Sequence, residues 1–374
     1  TTINSGATLV LESTTAFGNG VGSAAATQIG SRAITNNGTL EFRISNGGTW
    51  SFGRAFTGSG AVTRSGNGTL NLTSANTIGG GFSIREGRNV VTNSATNINA
   101  ATTVTSGGFN IQGIQNLVTV NWNSVLNIQS GGLNIRGTGD NVTNGAILNV
   151  NSASTVTGAV NLIAADLRLA NGGSLTGVTS ITAGGSGSTA GGNAAAQQGI
   201  NITNSVAANN GNRLNDSAII NLNAGRVTLV GNGDGSGSFS ETLGALHLLG
   251  GSNLVYSFRN NATSNVLTFA SLASRAAGSA LVFDTVTGTT NSGAEIRFTS
   301  APTMTNSIIG GWAIRSTSDG GNTVQLREWA TMSGNQVVAL ASYETGGEGS
   351  WDLNDNVKVA GASHTLSANR TIHS

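Results

Sequence analysis

Apolar and small polar residues alternate in short runs along most of the chain. Residues 7–11 read ATLVL, 61–63 AVT, 69–73 TLNLT and 89–92 NVVT, and 82–85 (FSIR) adds a shorter alternation. Each run sets apolar side chains on one face and polar ones on the other, as a half-buried strand does. Between the runs stand Gly-Asn-Gly (66–68), Gly-Gly-Gly (79–81) and Glu-Gly-Arg (86–88), which permit the positive φ angles of tight corners. No stretch carries a helical period. Strand and corner follow one another without Asn-Gly or Asp-Gly at every reversal. This predicts a chain winding in coils rather than folding into hairpins.

The coils tighten from 94 to 182. SGGFNIQG (106–113) recurs as SGGLNIRG (130–137), a period of 24 residues that suits stacked architectures. GAILNV (145–150), GAVNLI (158–163), ADLRLA (165–170) and GSLTGV (173–178) continue the strands. Asn121, Asn127, Asn134, Asn149 and Asn161 flank apolar residues in these runs. They either form side-chain amide ladders between coils or face solvent as ordinary polar alternation. Residues 183–216, with AGGSGSTAGGNAAAQQG, read as a loop excursion. SAIINLNAGRVTLVG (217–231) returns to strands.

GNGTLNLTSANTIGGGFSIREGRNVVTN (66–93) resembles the autotransporter-associated β-strand repeat, also called the passenger-associated transport repeat. The shared features are Gly-x-Gly-Thr-Leu-x-Leu, Ala-Asn-Thr, a Gly-Gly corner, a β run and Gly-x-x-Val-Val. Arg88-Asn89 departs from the small residue and Leu usual at that corner. Residues 36–66 resemble the flank that precedes the repeat. ETLGALHLLGGSNLVYSF (241–258) through VVALASY (337–343) resembles the end of such a module. The resemblance implies a right-handed parallel β-helix, an all-β solenoid, exported from a bacterium and displayed at the cell surface or secreted. Within that ending, Trp312 and Trp329 sit among small and apolar residues. They are expected to plug the core, in preference to forming a carbohydrate platform.

Composition adds exclusions. The 374 residues include 56 glycines, one proline and no cysteine, and only 9% are charged. Low hydrophobicity would indicate disorder, but Val, Ile and Leu recur at strand spacing. A net charge of +1, with arginines scattered singly and Lys358 the lone lysine, offers nothing to nucleic acid. No apolar run approaches the ~18 residues of a membrane span. Absence of thiols fits export weakly.

Chemistry is sparse. Asp352 and Asp355 lie in the turn WDLNDN, and Glu344 and Glu348 straddle TGG. Glycan cleavage needs carboxylates converging on one face, and these read as solvated loop acids. Asn354 with Asp352 and Asp355 lacks the glycine and the twelfth-position Glu of a calcium loop. GNGDGSGS (231–238) occurs once, without tandem calcium repeats, and its order departs from the Gly-Asp-Ser-Gly of serine proteases. His247, His364 and His373 are separated, leaving no metal motif. No cofactor, metal or enzymatic activity is expected.

Residues 1–345 thus read as one continuous solenoid module, and 346–374 as the start of a following one. Neither end shows a helical, charged or proline-rich cap. Open strand edges are expected at both ends, carried by Leu9 and Leu11 at one and by Val357, Val359 and Leu366 at the other. The expected partner is a similar unit stacked along the axis, giving a rod or filament. The alternative is an adhesin passenger that binds glycans or host surfaces.

Overall fold

The computed structural model describes residues 1–13, 33–44, 49–66, 69–85, 94–106, 108–112, 118–136, 146–185, 199–286, 293–318, 324–346 and 348–359. Among them no α-helix occurs, and one 3-10 turn lies at Glu348–Ser350. Period-two alternation has become strands with strictly alternating burial, as in Thr69–Leu72 and Val118–Trp122.

Successive coils lay strands alternately into a 14-stranded and a 16-stranded sheet. Thr69–Leu72, Ser94–Ile98, Val118–Trp122 and Ala146–Val150 pair parallel in the larger sheet. Phe82–Arg85, Phe109–Gln112 and Leu133–Arg136 do so in the other. A short strand precedes each of the latter, at Asn76–Ile78, Thr102–Val104 and Leu126–Ile128. Parallel neighbours need a long crossover between them; here each crossover is the rest of one coil. The chain is all-β, with the long parallel sheets of a β-solenoid.

Register carries each inward position into a file through the stack. Leu9, Leu40, Val62, Phe82, Phe109, Leu133, Val160, Ile181, Ile220, Leu246 and Leu272 are successive partners. At about 4.8 Å per step this file spans roughly 48 Å. Burying one such Leu side chain contributes about 1.5–3 kcal/mol, so the core is a column of similar contributions. The repeated Gly-Gly corner is a steric requirement. Gly108 and Gly132 hold φ of +68° and +65°, and a Cβ on them would stand 2.4 Å from the Gly131 carbonyl oxygen and 2.6 Å from that of Ala159.

Asparagine ladders run along the outside. Asn97 donates to Asn71 Oδ1 at 2.7 Å, Asn121 to Asn97 at 2.6 Å, and Asn149 to Asn121 at 2.7 Å. A parallel ladder joins Asn99, Asn123, Asn151 and Asn171. On the other sheet Asn110, Asn134 and Asn161 form a third. In all three the later coil donates to the earlier one. Four of the five asparagines singled out in the sequence are rungs; Asn127 instead lies between Thr103 and Thr155.

Two expectations need correction. The excursion at 183–216 is narrower, because Ser174–Gly184 stays in its sheet to Gly184 and Gly199–Ser205 is a stack strand with Ile200 and Ile202 buried. Small-residue composition concealed the alternation of GINITNS. Residues 186–198 lie outside the described part. The later coils are also capped on two files. Ala313–Ser318, Val324–Ser333 and Gln336–Ala339 form an antiparallel meander. It joins Ala280–Val286 at one side and Ala294–Phe298 at the other, so those edges are paired. The third file, on the 14-stranded sheet, ends at Leu272–Arg275.

Candidate functional site

The two Trp residues expected as core plugs lie at this meander, and neither is enclosed. Both are half-buried. Trp312 packs against the core from the side, with the Arg275 guanidinium 4.9 Å above its ring. Trp329 faces Ile314 across the antiparallel ladder. Val324–Ser333 is paired on both sides, with Ala313–Ser318 and Gln336–Ala339, and its Trp329 opens onto a cavity. The enclosed tryptophans are Trp122 and Trp50. Trp50 belongs to an aromatic cluster with Phe42, Phe52 and Phe56 in the first coils, with edge-on contacts of 4.9 to 5.9 Å between Phe42, Trp50 and Phe52.

Trp329 and Val357 do come together. With Ile314, Arg327, Glu328, Tyr343 and Lys358 they line a cavity of about 250 Å³ between the meander and the segment after it. Lys358 Nζ donates to Glu328 Oε1 at 2.5 Å and lies 5.3 Å from the Tyr343 ring centre. The Tyr343 hydroxyl accepts from the Trp329 backbone N–H at 3.0 Å. Burial first, then the hydrogen bond to Glu328, pushes Tyr343 up to about 12. Burial resists ionisation of Glu328, but the hydrogen bonds from Lys358 and Tyr343 outweigh it and hold the carboxyl below its usual range. Glu328 and Lys358 thus neutralise each other at the cavity wall.

At the ends, Leu11 is buried and Leu9 half-buried on the edge strand Thr8–Ser13. Val357 makes a parallel bridge to Glu344, and Val359 is 45% exposed. Leu366, His364 and His373 lie outside the described residues. The loop acids close turns. Asp355 Oδ2 accepts the Asp352 N–H at 2.7 Å, and Glu344 Oε1 accepts the Gly346 N–H at 2.6 Å. Among the described residues no group of acids, histidines or cysteines is placed to hold a metal ion, and no helix is long and apolar enough to cross a membrane.

Buried charge is the feature that sequence reasoning missed. Arg213 is fully buried and donates to Asn204 Oδ1 at 2.7 Å and to the carbonyls of Gly173, Asn171 and Ala208 at 2.5, 2.9 and 2.8 Å. Glu241, also fully buried, accepts the backbone N–H groups of Arg213 and Leu214 at 3.1 and 2.9 Å. Together they latch the 206–218 segment to the stack. Desolvation pushes Glu241 up to about 7 against those hydrogen bonds and the Arg213 charge. Asp166, with Arg168 at 2.8 Å and Arg226 at 3.9 Å, is a second buried centre. Asp284 and Arg315 form a third; burial raises the first and lowers the second, to about 10. A signal for Glu241 was present: in Phe239-x-Glu241-x-Leu243 the acid shares the inward parity of two apolar residues. Compared with known proteins, the chain matches no family model, no curated protein and no solved structure.

Proposed function

We propose that this chain is a structural module of an extracellular bacterial rod or filament, of the kind the autotransporter-associated repeat implies, stacking end to end with similar units. The observation that supports it most is the continuity of register. Core files repeat from coil to coil, so another coil laid on an open edge would meet matching backbone and core partners. Thr2–Ile3 and Thr8–Ser13 are edge strands at the start of the stack. Beyond the meander, Glu344 and Val357 resume parallel pairing. A heterologous contact of this kind does not close on itself and builds fibres. The module has no catalytic role in this reading, since its buried acids are latched by backbone or guanidinium groups. Sedimentation velocity and negative-stain electron microscopy over rising concentration test it. End-to-end particles are expected, and they shorten when Val10→Pro blocks the first edge. A strictly monomeric wild type at high concentration refutes it.

A further inference from the structure

Three outward arginines on this solenoid share one arrangement. Arg43, Arg168 and Arg297 each pair with a carboxylate two residues earlier on the same strand face, Glu41, Asp166 and Glu295. Arg136 breaks it, because the residue two before it is Asn134. Arg136 is exposed, and no hydrogen bond or ion pair reaches its guanidinium among the described residues. It stands in a lateral groove of about 260 Å³, shared with Ser83, Asn110, Gln112 and Asn134 above buried Ile84 and Ile111. Asn110 and Asn134 are ladder partners at 3.0 Å, and Gln112 and Arg136 are register partners beside them. Asn134 Nδ2 spends one N–H on Asn110 Oδ1 and has a second for a ligand. The groove therefore combines a guanidinium that has no partner among the described residues with amides and a hydroxyl, and no acid is among its lining residues.

The geometry points to a binding site for a carboxylate-bearing sugar. The ligand carboxylate takes the place that Glu41, Asp166 and Glu295 hold beside the other arginines, in the bidentate geometry a planar guanidinium favours. The side-chain amides of Gln112 and the ladder, donors and acceptors at once, meet the ring hydroxyls. The volume lies just under the roughly 300–1,000 Å³ of ligand pockets, which suits one sugar ring of a longer glycan lying along the stack. This site is independent of the stacking reading.

Isothermal titration of the full chain tests it with three probes: a hexuronate oligosaccharide, a neutral oligosaccharide of the same linkage, and sodium sulfate. The acidic glycan is expected to bind at least about tenfold more tightly than either of the others, one tenfold step being ~1.4 kcal/mol. Arg136→Gln should cost about tenfold, Arg136→Lys less, and Arg43→Gln nothing, with circular dichroism unchanged throughout. Equal binding of the neutral glycan, sulfate binding as tight as the sugar acid, unaltered affinity in Arg136→Gln, or no binding of the acidic glycan would each overturn the assignment.

Discussion

Glu241 should make this protein less stable as pH rises from 5 to 8. The carboxyl is fully buried, and desolvation lifts it from 4.5 to about 7. Two backbone N–H groups and the Arg213 charge pull the other way, and Asp216 adds a smaller upward push. A folded-state value above the unfolded one means that the protonated form favours folding. That stabilisation is complete below pH 4.5 and is lost as pH rises through about 7. At ~1.4 kcal/mol per unit, the displacement amounts to roughly 3 kcal/mol. Guanidinium unfolding followed by circular dichroism, at matched ionic strength, should show it. With a slope of roughly 6 kcal/mol per molar for a chain of this size, the midpoint falls by about half a molar between pH 5 and 8. Glu241→Gln cannot titrate, so its midpoint should change much less over the same range. It starts lower at pH 5, because its amide nitrogen faces a backbone donor and one hydrogen bond worth about 1 kcal/mol is lost. Subtracting the variant's pH dependence removes every other titrating group. If the wild type then holds or gains stability toward pH 8, Arg213 and the two N–H groups outweigh desolvation and the reasoning fails.

Two further substitutions test the remaining interactions. Arg213→Met removes four hydrogen bonds from a buried cage and leaves Glu241 without its cation; it should cost about 3–5 kcal/mol, and a loss under ~1 kcal/mol in the same melts would mean that the latch is dispensable. Asn121→Ala breaks the ladder on both sides and should cost about 1–2 kcal/mol, whereas Asn127→Ala should stay within ~0.5 kcal/mol; equal effects at the two positions would show that the ladders contribute no more than ordinary surface polarity.

Much of the architecture was legible in the chain. Val118 to Trp122 alternates apolar and polar, and the backbone pleat converts that directly into an inward and an outward face. The two SGG motifs stand 24 residues apart because Gly108 and Gly132 occupy the same corner of successive coils, where neighbouring backbone leaves no room for a Cβ. The same spacing places Asn134 over Asn110, so the ladders follow once stacking is granted. Other features had no local signature. A strand pattern reads the same in either direction, so nothing in residues 313–339 distinguished an antiparallel meander from three more parallel coils. Whether Trp329 is enclosed depends on what packs across its face, and the segment after the meander leaves a cavity there. The buried charges are the clearest case. Arg213 looks like a loop arginine in NGNRLND, and its cage is assembled from carbonyls at Gly173 and Asn171, some forty residues earlier. Local alternation determines which way a side chain points; only the stacking of distant coils determines what it meets there, because desolvation and hydrogen bonding depend on neighbours in space rather than in sequence.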